Sequence, residues 1–485
     1  MRAKSSFTSS APEGGANASE SAGAIEQRAA EPIYRVWTLG WSLAIAAHLA
    51  LPDARQDGWL IPNIALGGAT FLLVVRRRHE ALDRALWLVA CGGLVAPLLF
   101  FADALSQSVY LAFGAASAAL LPSATHLQSV RGLTAAMYGA ALFHKLNADF
   151  LNGAVSCATG GITLFGENYG VDLSALTVGS LANVWPVLFL SAEASVALLL
   201  LRRPMAGIAL AALLHVPLTI IFAPAFAWVM ASGWTAFFSA ELLQELRAFV
   251  AHRGRLLALV GAGFGVTSAA LYFRVHESAY PAWQLGEFGW WIVAAVVGSF
   301  AFTKRRYRPP TSRMRPVSRL IVALFVLNAA TPYTGLQFHH AGAMLSNLRI
   351  DEGCWNHLLV PEAVRIREPY VRVEEASLTG DVDDFDARVR SDSGERASLE
   401  IADLATFETR LFDPAGLHAA VSERCERLAR FAVRGAPALG LRLSFNAGSG
   451  AVNVPNACED LPLDPGQPGA FQTNLERACP QACVH

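Results

Sequence analysis

Apolar stretches of roughly membrane-crossing length recur from residue 34 to about residue 337, and no other feature limits the fold of this chain as strongly. A hydrocarbon layer about 30 Å thick takes about 20 apolar residues per helix. Backbone polar groups inside that layer must be satisfied within the helix itself. Hydrophobic residues make up 53% of the chain and charged residues 16%, a balance that belongs to a membrane protein rather than to two or three soluble domains. The apolar runs predict helices near 34–51, 59–75, 85–105, 108–123, 131–147, 180–201, 205–223, 226–246, 256–273, 285–303 and 318–337, eleven in all. Around Pro224 the sequence reads either as one broken helix or as two spans joined by a tight turn.

Basic residues agree with that count, because short cytoplasmic loops collect Lys and Arg. With eleven helices, Arg76 to Arg78, Arg131, Arg202, Arg203, Arg247, Arg253, Arg255 and the run from Lys304 to Arg319 all fall on one side. The opposite loops carry little beyond Arg55 and Arg274. The N-terminus is then cytoplasmic, and Lys145, the 148–179 loop and everything after about 338 lie at or beyond the outer face of a cell membrane. Residues 1–31, rich in Ser, Ala, Gly and Glu, read as a disordered cytoplasmic tail. They lack the charged start and short apolar core of a removable signal peptide, which leaves the first membrane helix to act as the insertion signal.

The composition changes after the last apolar run. Between 350 and 485 there are 22 acidic residues against 13 Arg and no Lys, so this segment is unsuited to an anionic membrane surface. Tyr370 to Val373 alternates like a strand, Leu417 to Arg434 reads as an amphipathic helix, Leu439 to Phe445 reads as a second strand, and Pro455 to Gly469 is loop. The fold class is therefore an all-α polytopic membrane bundle over 32–340, followed by a small extracytoplasmic α+β domain over 341–485. No basic surface interleaved with aromatic residues points to a nucleic-acid partner. The lipid bilayer is the partner that the composition implies, with a protein partner or substrate expected at the outer domain.

Cysteines follow the same division. Cys91 lies within an apolar helix and reads as a small filler. Cys157, Cys354, Cys425, Cys458, Cys479 and Cys483 all fall on the outer side, an even number on an oxidising face, so disulfides are expected with the connectivity open. Cys479 and Cys483 could alternatively ligate a metal, but no further Cys or His stands at ligand spacing, and no metal is expected.

Three ionisable side chains stand out inside apolar helices: Lys145, Glu193 and His215. Charges buried there mark functional candidates, because burial costs a few kcal/mol unless they pair or face water. Each also has an ordinary structural reading. Lys145 could snorkel to the headgroups, Glu193 could bridge to a neighbouring helix, and His215, two residues before Pro217, could bond backbone freed by the proline. The chain has only three lysines, Lys4, Lys145 and Lys304, so an amine at this position is a marked choice. A desolvated amine that loses its proton near neutrality is a competent base. His144 is adjacent but points about 100° away around the helix, so it is not expected to share the face of Lys145.

The segment His144-Lys145-Leu146-Asn147-Ala148-Asp149-Phe150-Leu151-Asn152-Gly153 resembles a stretch of the vitamin K-dependent γ-carboxylases and their bacterial relatives, the HTTM-domain membrane proteins. A second resemblance runs from Asn328 to Pro361 and includes Thr331-Pro332-Tyr333-Thr334-Gly335-Leu336, Met344-Leu345-Ser346-Asn347-Leu348-Arg349 and Asn356-His357-Leu358-Leu359-Val360-Pro361. The resemblance implies that Lys145 is the base that deprotonates reduced vitamin K or another quinol, with His215 and Glu193 as helpers. Two departures stand out. Asn147 replaces an acidic residue, and the stretch Tyr110 to Leu127 lacks the family's histidine until His126, near the cytoplasmic end. These departures weigh against glutamate carboxylation of proteins and leave quinol handling.

Two functions from different classes follow. One is a carboxylase-like or quinol-oxidising membrane enzyme with an apolar pocket, Lys145 as base and the cofactor supplying the redox chemistry. The other is a non-catalytic anchor that presents the outer domain, since a shared fold does not carry function with it. Transport has less support, as the sequence shows no paired discontinuous helices.

Overall fold

The computed structural model describes residues 15–51, 59–76, 79–100, 107–221, 224–276, 281–308, 314–343, 345–380, 382, 410–430, 437–445, 451–464, 471–472 and 475–483. The helical part begins with α1 (Gly15–Leu49), α2 (Leu60–Val75), α3 (Glu80–Phe100), α4 (Gln107–Leu120), α5 (Ser123–His144), α6 (Ala148–Leu151) and α7 (Cys157–Tyr169). It continues with α8 (Gly179–Ala182), α9 (Val184–Arg202), α10 (Pro204–Ile221), α11 (Pro224–Trp234) and α12 (Ala240–Phe249). The last helices of this part are α13 (Arg255–Val275), α14 (Pro281–Val293), α15 (Ser299–Thr303) and α16 (Pro316–Ala329).

Each apolar run has a helical counterpart, yet the expectation of eleven spans is not met. Among the described residues, five stretches are long and apolar enough to cross a membrane: Glu80–Leu99, Gly179–Arg202, Pro204–Ile221, Ala240–Val275 and Leu285–Thr303. The apolar helices α2, α4 and α16 are shorter than that measure requires. α5 fails on composition, since Thr125, His126, Ser129 and Thr134 all face the interior. It packs against α1, α4, α9, α11 and α16, so its polar side chains meet protein rather than solvent.

The run expected at 226–246 is divided. α11 ends at Trp234 in a 3-10 turn, Thr235–Phe237, and Ser239 then caps a new helix by accepting a hydrogen bond from the Leu242 N–H at 3.2 Å. That new helix runs on through a π turn, Val250–Gly254, into α13. Arg247, Arg253 and Arg255 therefore ride on one continuous helical stretch instead of forming a loop. α1 also starts earlier than the reading of 1–31 as a disordered tail implies. Within that stretch Glu26 accepts from Arg315 at 2.8 Å and Gln27 accepts from the Ala124 N–H at 3.2 Å, which ties it to α5 and the start of α16.

Polarity is arranged from the outside in. Large apolar side chains such as Ile61, Phe71, Leu188, Leu259 and Phe264 are exposed on the helix surfaces. Polar groups sit inside and several are paired, such as His126 with the Ser117 hydroxyl at 2.8 Å and Tyr110 with Thr134 at 2.8 Å. A lipid-facing bundle requires this pattern, because hydrocarbon offers polar groups no partner.

The C-terminal segment forms the strands and helix expected of it in kind. β1 (Val371–Thr379), β2 (Arg410–Phe412), β3 (Ala438–Ser444), β4 (Val452–Val454) and β5 (Leu475–Glu476) form an antiparallel sheet in the order β4-β3-β1-β2-β5. α17 (Pro414–Arg430) lays Leu417, Val421 and Leu428 against Val371, Val373, Leu439, Leu441 and Leu443. Alternation in β1 and β3 puts these side chains on one face. Residues 431–434 of the expected helix lie outside the described residues.

Glu368 lies buried at the base of this unit, where it accepts from Arg365 at 2.8 Å and from the Glu352 N–H at 3.0 Å. Burial pushes its carboxyl up to about 7 despite the arginine. The unfolded chain then binds fewer protons than the folded one from about pH 4.5 upward, so stability falls as pH rises through about 7. We expect thermal unfolding of the purified protein to shift to lower temperature across that window, and Glu368→Gln to flatten the dependence. An unchanged pH profile in the variant would show that another group is responsible.

Candidate functional site

The two segments singled out in the sequence lie against each other in space. Lys145 ends α5, and Asn147 caps α6 by accepting from the Phe150 N–H at 2.7 Å. The Asn147 amide also donates to the His144 carbonyl at 2.8 Å and to the Ser346 carbonyl at 2.6 Å. The Leu358 N–H donates to the Leu146 carbonyl and the Ala148 N–H donates to the Asn356 carbonyl, both at 2.9 Å, which joins the strand-like stretch around His357 to the turn after Lys145. Asn147 thus satisfies three groups that an acidic side chain could not serve alone, because two of them need a donor. Gly153 has no room for a side chain, since a Cβ there would stand 2.4 Å from the Ala182 carbonyl carbon.

His144 turns away from Lys145, as the helix geometry predicts. Its Nδ1 lies 2.8 Å from the Tyr333 hydroxyl and its Nε2 3.1 Å from the Ala341 carbonyl. Nε2–H donates to the carbonyl, which leaves Nδ1 to accept from the tyrosine. His144 is therefore a fastener between α5 and the segment after α16.

Lys145 is buried and does not snorkel. Its Nζ donates to Glu193 Oε1 on α9 at 3.0 Å and stands 5.9 Å from the centre of the Phe150 ring. Glu193 thus bridges α9 to the end of α5, its structural reading, and the side chain it meets is Lys145. Its second oxygen, Oε2, is buried with no hydrogen-bond partner among the described residues.

The pair opens onto a cavity. Apart from Lys145 and Glu193, its lining comes from Met137, Ala141, Phe150, Cys157, Ala158, Phe189, Leu218, Phe226, Gly342 and Leu345. Gly342, at φ 77°, brings the backbone to the wall in a conformation that suits glycine. The room open to water is about 60 Å³, enough for a few waters.

His215 is not in the cavity wall. Its Nε2 meets the Tyr138 hydroxyl at 2.9 Å rather than freed backbone, and its ring packs against Phe226, Trp234 and Trp290. Phe226 touches both places, since it lines the cavity and lies 5.8 Å from the His215 ring. His126 lies against Trp37, at 4.1 Å between ring centres, and does not line the cavity.

Glu287 on α14 is a further buried carboxylate that was not among the expected site residues. Ser268 donates to it, and Trp291 Nε1 approaches at 3.4 Å and the Tyr169 hydroxyl at 3.5 Å. An acidic residue within the 285–303 run was a sufficient signal. Cys157 was also read only as half of an unspecified bridge. It is bonded to Cys483, while Cys354 joins Cys479 and Cys425 joins Cys458, so Cys479 and Cys483 are not a ligand pair.

Comparison with family models, with curated proteins and with solved structures finds no match. The site is therefore interpreted from its own chemistry.

Breaking the buried pair strands a charge. Lys145→Ala should lower stability by about 3–5 kcal/mol, and Lys145→Leu combined with Glu193→Leu should regain most of that loss. Denaturation of the two variants in the same detergent measures the difference. Equal losses would mean that the two side chains are not coupled.

Proposed function

We propose that this protein is a membrane-embedded quinol-handling enzyme of the carboxylase-like type, in which Lys145 and Glu193 act together on a hydroxyl of an apolar substrate. One observation carries the reading: a buried lysine–glutamate pair faces an otherwise apolar cavity, with one carboxylate oxygen unpartnered among the described residues. A buried acceptor in such a place calls for a donor, and a hydroxyl on a ring supplies one. The resemblance of segments 144–153 and 328–361 to the γ-carboxylases and HTTM-domain proteins supports the same substrate class, namely reduced vitamin K or another quinol.

A bound quinol would supply reducing electrons once a hydroxyl is ionised. Glu193 Oε2 is placed to accept that proton, and the Lys145 ammonium to stabilise the negative charge left on oxygen. The role that the sequence assigned to a lone amine thus falls to the pair. Phe150, Phe189 and Leu218 keep water away and strengthen both interactions. The present room is too small for a quinone ring, so binding requires Phe189, Leu218 or Phe226 to turn aside. His215, behind Phe226, would hold Tyr138 and the cavity floor in place.

The apolar helices suit a membrane, and three disulfides suit an oxidising compartment. We assign that compartment to the extracytoplasmic side, which places the α+β unit outside the cell membrane and the N-terminus in the cytoplasm. The unit would serve there as a docking element for a protein substrate or partner.

The test uses purified protein in nanodiscs with a short-chain naphthoquinol, measuring saturable binding and anaerobic single-turnover oxidation by added acceptor. Glu193→Gln and Lys145→Ala should each slow oxidation by about 10²–10⁴-fold, the usual range for loss of a positioned acid or base. No saturable binding by folded wild-type protein would reject this reading and favour an anchor that presents the outer domain.

A further inference from the structure

The Cys157–Cys483 disulfide is the one that borders the cavity. Cys157 lies in its wall together with Lys145 and Glu193, whereas the cysteines of the other two bridges do not line it. Cys157 and Cys483 share an apolar cluster with Phe150, over whose ring the Lys145 ammonium stands. Cys157 is also the first residue of α7, a helix of 13 residues capped by Ser156. A helix start and a nearby ammonium both favour negative charge on sulfur. Cys483 differs from its partner in access: Cys157 is buried, and Cys483 is only partly so. The bridge therefore reaches from the cavity wall towards the surface.

We propose that Cys157 and Cys483 form a redox pair that passes electrons from an external dithiol to a quinone in the cavity. This inference rests on the quinol reading and extends it, since it would restore the quinol in the place where Lys145 and Glu193 use it. In the reduced pair two S–H bonds release two protons and two electrons as the S–S bond forms. The quinone takes up the same two electrons and two protons and becomes the quinol. A dithiol reductant that reaches Cys483 from the solvent side returns the pair to thiols, and its own two thiols close to a disulfide. Access decides which sulfur each partner reaches, with Cys483 meeting the reductant and Cys157 the quinone.

The experiment is carried out without oxygen on full-length protein in nanodiscs. The disulfides are reduced with dithiothreitol, the reductant is removed, and a short-chain naphthoquinone is added. Differential alkylation and peptide mass spectrometry then follow each cysteine pair, while tryptophan quenching reports quinone binding in the same sample. Cys157–Cys483 should re-form at least about ten-fold faster than Cys425–Cys458, with one quinol appearing per bridge closed, and Cys483→Ser should abolish that quinol. The Cys425–Cys458 pair provides a control within the wild-type molecule, so the result does not depend on the variant folding. Quinone that binds while Cys157 and Cys483 stay reduced, or equal rates at the two pairs, would overturn the redox pair and leave the quinol reading standing. Absence of quinone binding would overturn both.

Discussion

A polar group placed among apolar helices must find its partner inside the protein, and much of this structure follows from that constraint. Lipid offers neither donors nor acceptors, so an unpaired group costs several kcal/mol. The bundle answers by joining helices through single polar contacts. Lys145 reaches Glu193 between α5 and α9, His215 reaches Tyr138 between α10 and α5, and Glu287 takes the Ser268 hydroxyl between α14 and α13. α5 takes part in two of these contacts and packs against more helices than its hydropathy would suggest. Its polar residues make it the inner post of the bundle, not a lipid-facing wall.

At the end of α5 the same constraint acts on the backbone. The chain leaves the helix at Lys145, and the freed carbonyls of Phe143, His144 and Leu146 are taken by His357, Asn147 and Leu358. This links the end of α5 to the segment that leads into the sheet. Arg349 extends the linkage: it grips Asp351 through two bonds and also holds the Glu476 carbonyl and the Gln481 side chain near the C-terminal end. With Cys157 bonded to Cys483, the last residues are fixed beside the cavity rather than trailing from the sheet. The cavity therefore borders both the buried ion pair and the Cys157–Cys483 bond.

The two charges of the ion pair are tolerated only because they are buried together. A solitary lysine in this position would be costly, and a solitary glutamate equally so. Together they are tolerated, yet the fit is incomplete, since one carboxylate oxygen has no partner among the described residues. A buried acceptor left open in this way is an exception among folded proteins and calls for a partner.

Much was legible in the sequence because it depends on local pattern. Long apolar runs specify helices wherever they occur, the alternation around Tyr370 and Leu439 specifies strands, and the scarcity of lysine marks Lys145 before any contact is known. The six cysteines expected on the outer side announced disulfides by their even number. Span number was less legible: α5 is polar where it is buried, the break after Trp234 depends on the Ser239 cap that starts α12, and a π turn then joins α12 to α13. Only the tertiary structure decided which cysteines bond, that Lys145 meets Glu193 from 48 residues away, that His215 is held apart by Phe226, and that residues 144–148 pair with residues 346–358. These contacts depend on how whole helices pack. Their free energy belongs to pairs far apart in the chain, and no local pattern encodes it.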